Sequence, residues 1–253
     1  MDRPKRHSGL TPGSMSTTMA TPDYWSEPPV ETATPEQNSV VDLVFTTRGQ
    51  QIPADHAWSL SVAVTQVLPW LKNEICAGIH LIHGAQSGNG WERPPDDGII
   101  ELSARTRFVL RLPVQRVTDG RALSGQTLEL AGYRIDLLDA RVRPLSPLTT
   151  VLARHVHSTG RDNRETAFLE DVARWLERLS ITPRKMLCGR IRKLTTPDRT
   201  VQTRSLLLAE LSPGESARVQ RQGLGPDRLL GCGLFMPHKS IGAVHTSRQE
   251  LSD

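Results

Sequence analysis

The chain of 253 residues has little of several things, and each shortage narrows the problem. No apolar run approaches the roughly 20 residues a membrane-spanning helix needs. The first residues carry charges but no hydrophobic stretch of the kind that marks a secretory signal. Cysteine is scarce: Cys76, Cys188 and Cys232 are odd in number with no close pair, which excludes a disulfide framework and a zinc site. A reducing, cytoplasmic setting is the expectation, with no membrane, metal or other cofactor. Lysine is scarce too. Of the 31 basic side chains, 26 are Arg and 5 are Lys. Arg grips phosphate with two parallel hydrogen bonds and stacks on bases, so the skew points mildly to nucleic acid. A GC-rich genome produces the same skew, and composition weighs the two evenly.

The formal charge of +4 is unevenly spread. Residues 1–38 hold three basic and five acidic side chains, leaving about +6 on the remainder. They also hold 6 of the 18 prolines and ten Ser/Thr, with almost no aliphatic residues. Such a segment buries too little apolar surface to offset its ordering entropy, so a disordered tail is expected. The alternative is a short partner-binding tail built on Tyr24-Trp25. Order is expected from residue 39, beginning with a strand at Val40–Phe45. Pro53-Ala54-Asp55 opens a helix with Asp55 as its N-cap, and Leu60, Val64, Val67, Leu68 and Leu71 share one face. A short strand is expected over Cys76–His83, then a Gly/Pro/Asn-rich loop over 84–98. Ile99–Leu102 and Thr106–Leu112 read as a hairpin, the second strand with one buried and one basic face. Val114–Leu123 reads as a weak helix, and Thr127–Leu130 and Tyr133–Leu145 as strands.

The second half restarts the pattern. Thr150–His157 reads as a strand and Arg164–Leu179 as the clearest helix, with Phe168, Val172, Trp175, Leu176 and Leu179 on one side. Strands follow at Arg184–Arg192 and Thr200–Glu210. Pro213–Gln222 is a helix with Ser212 as N-cap, Pro213 in the first turn and Glu215 completing a capping box. A glycine loop, Gly223–Gly233, leads to a last strand at Leu234–Met236. Each half therefore reads as β-α-β-β-α-β, the ferredoxin-like order. The expected fold is α+β with two tandem ferredoxin-like (RRM-like) domains: residues 39–147, residues 148–245, and a tail at 246–253.

The sharpest motif is Gly223-Leu224-Gly225-Pro226-Asp227-Arg228-Leu229-Leu230-Gly231-Cys232-Gly233. A dinucleotide fingerprint would need glycine at 228 and a strand-loop-helix order, and neither is present. What remains is a loop whose glycines let backbone approach a ligand, with Arg228 at its centre, a combination suited to phosphate. The plainer reading is a tight connection between a helix and an edge strand.

A C-terminal helix followed by Gly-x-Gly-x5-Gly-x-Gly-Leu-Phe-x-Pro resembles the glycine-rich signature of the CRISPR-associated repeat-processing endoribonucleases. Ile52-Pro53-Ala54-Asp55-His56-Ala57-Trp58-Ser59-Leu60 is similar to that family's entry to its first helix. Ile79-His80-Leu81-Ile82-His83-Gly84, and then Leu102-Ser103-x-Arg105-x-Arg107-x-x-Leu110-Arg111-Leu112-Pro113, resemble it further. The Gly88–Pro94 loop is similar to the myxobacterial-type branch. The resemblance spans residues 40–241. It implies metal-independent cleavage of precursor CRISPR RNA within its repeats, leaving a 2′,3′-cyclic phosphate and a 5′-hydroxyl. It implies a repeat stem-loop as substrate and other subunits of a type I effector complex as partners.

Metal-free cleavage of RNA needs a base for the 2′-hydroxyl proton and an acid for the leaving 5′-oxygen, roles suited to histidine. The resemblance places that histidine just after the first helix, where His80 stands. His83 projects from the opposite face if the strand is regular. His56 matches a helix-entry position and ranks second. Where some members place Tyr, this chain has Thr65. Arg105, Arg107 and Arg111, at i, i+2 and i+6, share one strand face and are candidates for RNA contact. So are Arg190 and Arg192, within a basic stretch that begins at Arg184-Lys185, together with Gly223, Gly225, Arg228, Gly231 and Gly233. The plainer reading of any of these is a solvated face or a core filler. The alternatives for the whole chain are a non-cleaving RNA-binding subunit and a nucleotide-binding or scaffold α+β protein.

Overall fold

The computed structural model describes residues 39–84, 94–95, 97–158 and 164–238. The expectations for residues 1–38, for most of the 84–98 loop and for the 246–253 tail lie outside them. The first half runs β1 (Val40–Arg48), β2 (Gln51–Pro53), α1 (Ala57–Val67), β3 (Gly78–Ile79), β4 (Ile99–Glu101), β5 (Arg107–Pro113), α2 (Val117–Gly120), β6 (Thr127–Leu130) and β7 (Tyr133–Pro144). The second runs β8 (Val151–His157), α3 (Glu165–Arg178), β9 (Lys185–Thr195), β10 (Thr200–Ala209), α4 (Pro213–Gln222) and β11 (Phe235–Pro237). The first sheet has the order β3-β5-β1-β7-β6 and the second β11-β8-β10-β9, all pairs antiparallel. Each is the split β-α-β arrangement, the fourth strand beside the first and the third between the first and second. The chain is α+β with two tandem ferredoxin-like halves, the first carrying β6 as an extra edge strand. No helix among the described residues is long and apolar enough to cross a membrane.

Local rules explain most elements. In β1, Leu43 and Phe45 alternate inward with Phe108, Leu110 and Leu112 of β5, under Leu60 and Val64 of α1. α3 buries Phe168, Val172 and Leu176 at helical spacing. α4 begins at the expected capping box: Glu215 N–H donates to Ser212 Oγ, and Ser212 N–H donates to Glu215 Oε2.

Four expectations need correction. Ile99–Leu102 and Thr106–Leu112 do not form a hairpin. β4 pairs with β2, placing Ile100 opposite Ile52, while β5 lies between β3 and β1. The inward face of β5 needs strands on both sides, which a two-stranded ribbon does not provide. Asp55 is not the N-cap of α1. His56 holds that position, and the Asp55 carboxylate accepts the Thr195 N–H across the halves, 2.9 Å away. The strand expected over Cys76–His83 shrinks to Gly78–Ile79, extended by one hydrogen bond from His80 N–H to Val109 O. Val114–Leu123 divides into three short helical pieces, of which α2 is the middle.

The halves share a core. Leu194, Val201, Leu230 and Cys232 of the second half belong to the apolar cluster of the first. A second cluster, with Phe168, Val172, Leu206, Val219 and Phe235, lies within the second half.

Candidate active site

The register of the first sheet assembles charged groups that are remote in sequence. Asp42, on β1, stands directly opposite Arg111 of β5 on one side and Arg143 of β7 on the other. On this face, away from α1, side chains of the three strands meet. Arg111 Nε and Nη2 donate to Asp42 Oδ1 and Oδ2 at 2.8 and 3.2 Å, and Arg143 Nη2 donates to Oδ2 at 2.9 Å. Arg111 Nη1 then reaches the second half, donating to Gln220 O and Phe235 O, each at 2.8 Å.

His80 adjoins this group. Gly78 pairs with Arg111, and two residues later His80 Nε2 lies 3.8 Å from Asp42 Oδ1. The nitrogen is buried and has no hydrogen-bond partner among the described residues. A buried polar atom left unmatched is uncommon and asks for a reason, a catalytic role among them. Burial, then the charge of Arg111, pushes the imidazole pKa down to about 3, with Asp42 pulling the other way. His80 is therefore neutral at physiological pH. Burial raises the proton affinity of Asp42, but the neighbouring positive charges and the Arg111 hydrogen bonds outweigh it, and the carboxyl stays well below its ordinary range. With His80 neutral, Arg111 and Arg143 are the charges that keep it ionised.

His56 has a different role from the one expected of it. Its Nδ1 is 2.8 Å from Pro53 O, and its Nε2 accepts the Ile82 N–H at 3.0 Å. These bonds fix the Nδ1–H tautomer and occupy both nitrogens, so His56 has no free nitrogen for proton transfer. It anchors the segment that carries His80 and His83. His83 is half-buried. Burial, then Arg154, His155, His56 and His80, hold its pKa well below the ordinary value.

The arginines divide into two sets. Arg111 is fully buried and saturated by Asp42 and two carbonyls, so it presents nothing to RNA. Arg111 lies on the basic face expected of β5, but there the other half of the chain covers it and not solvent. Arg228 is a second correction. Its Nε donates to Ala77 O at 2.9 Å, Nη2 to Cys76 O at 3.0 Å and Nη1 to Gln222 O at 2.5 Å. It caps the end of α4 and ties it to the strand entry before His80, leaving its fork no free phosphate-binding edge. Gly223, Gly225, Gly231 and Gly233 all have positive φ. Two of them show why: a Cβ on Gly233 would lie 2.1 Å from Leu224 O, and one on Gly231 would lie 2.6 Å from Leu81 Cγ. The glycines let the loop fold on itself and against the residue after His80. Arg105 is exposed in the turn before β5, outside the strand. Arg107 is half-exposed and donates to Ala104 O and Thr106 O. Arg190 and Arg192 are exposed on β9, the edge strand of the second sheet.

Asp42 and Arg143 were missed in the sequence. Their only local signal is one carboxylate inside the apolar run Val40-Val41-Asp42-Leu43-Val44-Phe45. A second group, in which Asp227 lies 2.6 Å from both His157 and Arg199, has no sequence signal because its members come from three elements.

Residues 41–240 match the family model described as Cas6 (Cas6 Crispr). The chain is 32% identical over 197 residues to the CRISPR-associated endonuclease Cas6 of Myxococcus xanthus (strain DK1622), covering 78% of this chain and 81% of the relative. This chain belongs to the Cas6 family. The folds agree. A solved structure of a Cas6-related gene product from Pyrococcus furiosus superposes with a TM-score of 0.56 at 11% identity, over 79% of this chain and 99% of that one. A RAMP protein described as binding different RNA substrates superposes at 0.53 and 12% identity, over 79% and 100%. In this Cas6 chain, then, the glycine-rich signature and the His80 segment lie against each other, with Arg228 of the signature donating to Cys76 O and Ala77 O.

Proposed function

We propose that this Cas6 protein is an endoribonuclease that cuts precursor CRISPR RNA within its repeats, with His80 as the acid/base group and no metal. The observation that carries the reading is the buried, unmatched Nε2 of His80 beside the Asp42 carboxylate. A neutral imidazole starts the cycle as a base. It takes the proton of the 2′-hydroxyl, the 2′-oxygen attacks phosphorus, and the bond from phosphorus to the 5′-oxygen breaks. The imidazolium of His80 then gives that proton to the leaving 5′-oxygen, which yields a cyclic phosphate and a 5′-hydroxyl and restores the neutral imidazole. The incoming phosphate brings negative charge that favours the protonated histidine. Asp42 does the same from the protein side, as a positioning residue. The exposed Arg105, Arg190 and Arg192, with Arg107, supply positive charge along the backbone of a repeat stem-loop, which is read by shape and phosphate. Assembly with other effector subunits in the cytoplasm completes the proposal.

The second reading is a subunit that binds the repeat without cutting it, and the burial of His80, 5% exposed, favours it. Single-turnover cleavage of the host's own repeat RNA in chelator decides between them. The expected result is cleavage by the parent, and binding without cleavage by His80→Ala. Unchanged cleavage by His80→Ala removes His80 from the mechanism and turns the test to His83→Ala. No cleavage by the parent leaves the binding subunit.

A further inference from the structure

The face of the first sheet that turns away from α1 carries an uneven charge. Across four strands, one row holds Gly78, Arg111, Asp42 and Arg143. The charged groups that act most strongly on His80 are Arg111, Asp42, Arg143 and Arg228, in that order. Three are guanidiniums and one is a carboxylate. Backbone carbonyls meet Arg228 and one nitrogen of Arg111, and they solvate a cation without cancelling its charge. Arg228 has no carboxylate partner among the described residues, and Arg143 has none besides Asp42. With His80 neutral, three positive charges stand against one negative charge. Positive charge away from bulk water calls for a counter-charge, and the protein supplies only part of it.

The surplus comes to the surface at Arg143. Its side chain is 45% exposed, against 0% for Arg111, 3% for Asp42 and 6% for His80. A guanidinium has five N–H groups. Arg143 gives one to Asp42 Oδ2, at 2.9 Å, and makes no other hydrogen bond among the described residues. Its fork is thus held at one corner by a buried carboxylate and open on the rest. Arg141, two residues earlier on the same face of β7, is exposed and has no ion-pair partner among the described residues. It carries the positive charge outward along the strand. A planar fork, anchored on one side and presented to solvent beside the acid/base group, suits the oxygens of a phosphodiester.

We propose that Arg143 grips the scissile phosphate of the RNA substrate, keeping one nitrogen on Asp42 and placing its remaining N–H groups on the non-bridging oxygens. In the transition state those oxygens gain negative charge, and a donor fixed in advance stabilises it. Arg143 is then a catalytic residue, and Asp42 positions both it and His80. The proposal rests on the cleavage reading given above and adds the group that holds the phosphate.

The test is single-turnover cleavage of repeat RNA by the full protein at saturating concentration. One RNA is unmodified. Two others carry sulfur in place of one or the other non-bridging oxygen at the bond the parent cuts. Sulfur accepts hydrogen bonds more weakly than oxygen, so one sulfur isomer is expected to slow the parent. Arg143→Ala is expected to cut the unmodified RNA about 100-fold more slowly, the scale of one lost transition-state donor. The same sulfur is expected to slow Arg143→Ala no further, because the contact it weakens is already gone. Arg143→Lys keeps the charge without the fork and is expected to recover part of the rate. Arg111 keeps both its bonds to Asp42 in these variants, so their melting temperatures are expected to stay close to the parent's. A parental rate for Arg143→Ala overturns the proposal. So does a slow Arg143→Ala that keeps the full sulfur effect, since the arginine then acts only through Asp42. A parent indifferent to both sulfur isomers overturns it as well. A parent that binds the repeat but cuts no RNA removes the cleavage reading itself, and the role of Arg143 falls with it.

Discussion

At the scale of single residues, the site is governed by one buried carboxylate shared among three neighbours. Arg111 has no solvent exposure, and Asp42 is its only ion-pair partner among the described residues. Replacing Asp42 with Asn keeps the shape and removes the charge. Breaking one side of a buried pair costs about 3–5 kcal/mol. Urea unfolding of Asp42→Asn is expected to show a loss of that size, and a loss below 1 kcal/mol would mean that Arg111 is solvated after all. The histidine makes a separate prediction about pH. In the unfolded chain His80 takes a proton near 6.5, while in the folded protein it resists protonation until about 3. Between these values the unfolded state binds more protons, so stability falls as the pH falls. The slope approaches about 1.4 kcal/mol per pH unit for a single such group. Asp42 adds a loss of the same sign below its unfolded value of 3.8. Urea midpoints measured from pH 7 to pH 5 are expected to drop for the parent and to drop less for His80→Gln. His83, shifted in the same direction, contributes to the residual slope. Equal slopes in parent and variant would show that His80 is solvated.

At the scale of elements, the glycine-rich loop is held as firmly as a strand. Its end hydrogen-bonds to β8 through Gly233 N–H and His155 O, and Arg228 bridges it to α4 and to the residues before β3. Arg228→Met leaves several carbonyls without donors, each costing about 1–3 kcal/mol where buried. A loss of at least about 2 kcal/mol is expected in urea, with Arg228→Lys recovering only part, because a single ammonium does not span the three carbonyls. Full recovery by lysine would show that charge alone matters. The loop's position in the chain was legible, since Gly-x-Gly-x5-Gly-x-Gly falls after a well-capped helix. Its arginine suggests a ligand contact in sequence because nothing local shows which carbonyls will converge on a side chain. The same limit explains the β4–β5 error. α3 and α4 follow from spacing within one helix, whereas the partner of a three-residue strand is set by tertiary packing that local pattern does not encode.

At the scale of the molecule, the two ferredoxin-like halves are one folding unit, and this bears on how the site exists at all. Tandem domains with separate cores unfold separately, joined only by a polar interface. Here the first core is completed by Leu194, Val201, Leu230 and Cys232 from the second half. Arg111 spends one nitrogen on Gln220 O and Phe235 O, and the Thr195 N–H donates to Asp55. Removing the second half would take four apolar side chains out of the first core and expose the first-half surface they cover, at about 1.5–3 kcal/mol for each large side chain uncovered. It would also strip a buried arginine of two acceptors. That sum is comparable with the whole stability of a domain, about 5–15 kcal/mol. Residues 39–147 alone are therefore expected to be unfolded. The intact protein is expected to melt in one calorimetric transition, with van't Hoff and calorimetric enthalpies equal. Two resolved transitions, or a folded 39–147 fragment by near-ultraviolet circular dichroism, would break the argument. A single transition carries a functional consequence. His80 and the glycine-rich loop come from opposite halves and keep their geometry only while both are folded, so RNA cleavage is expected to disappear at the temperature at which the first-half core melts.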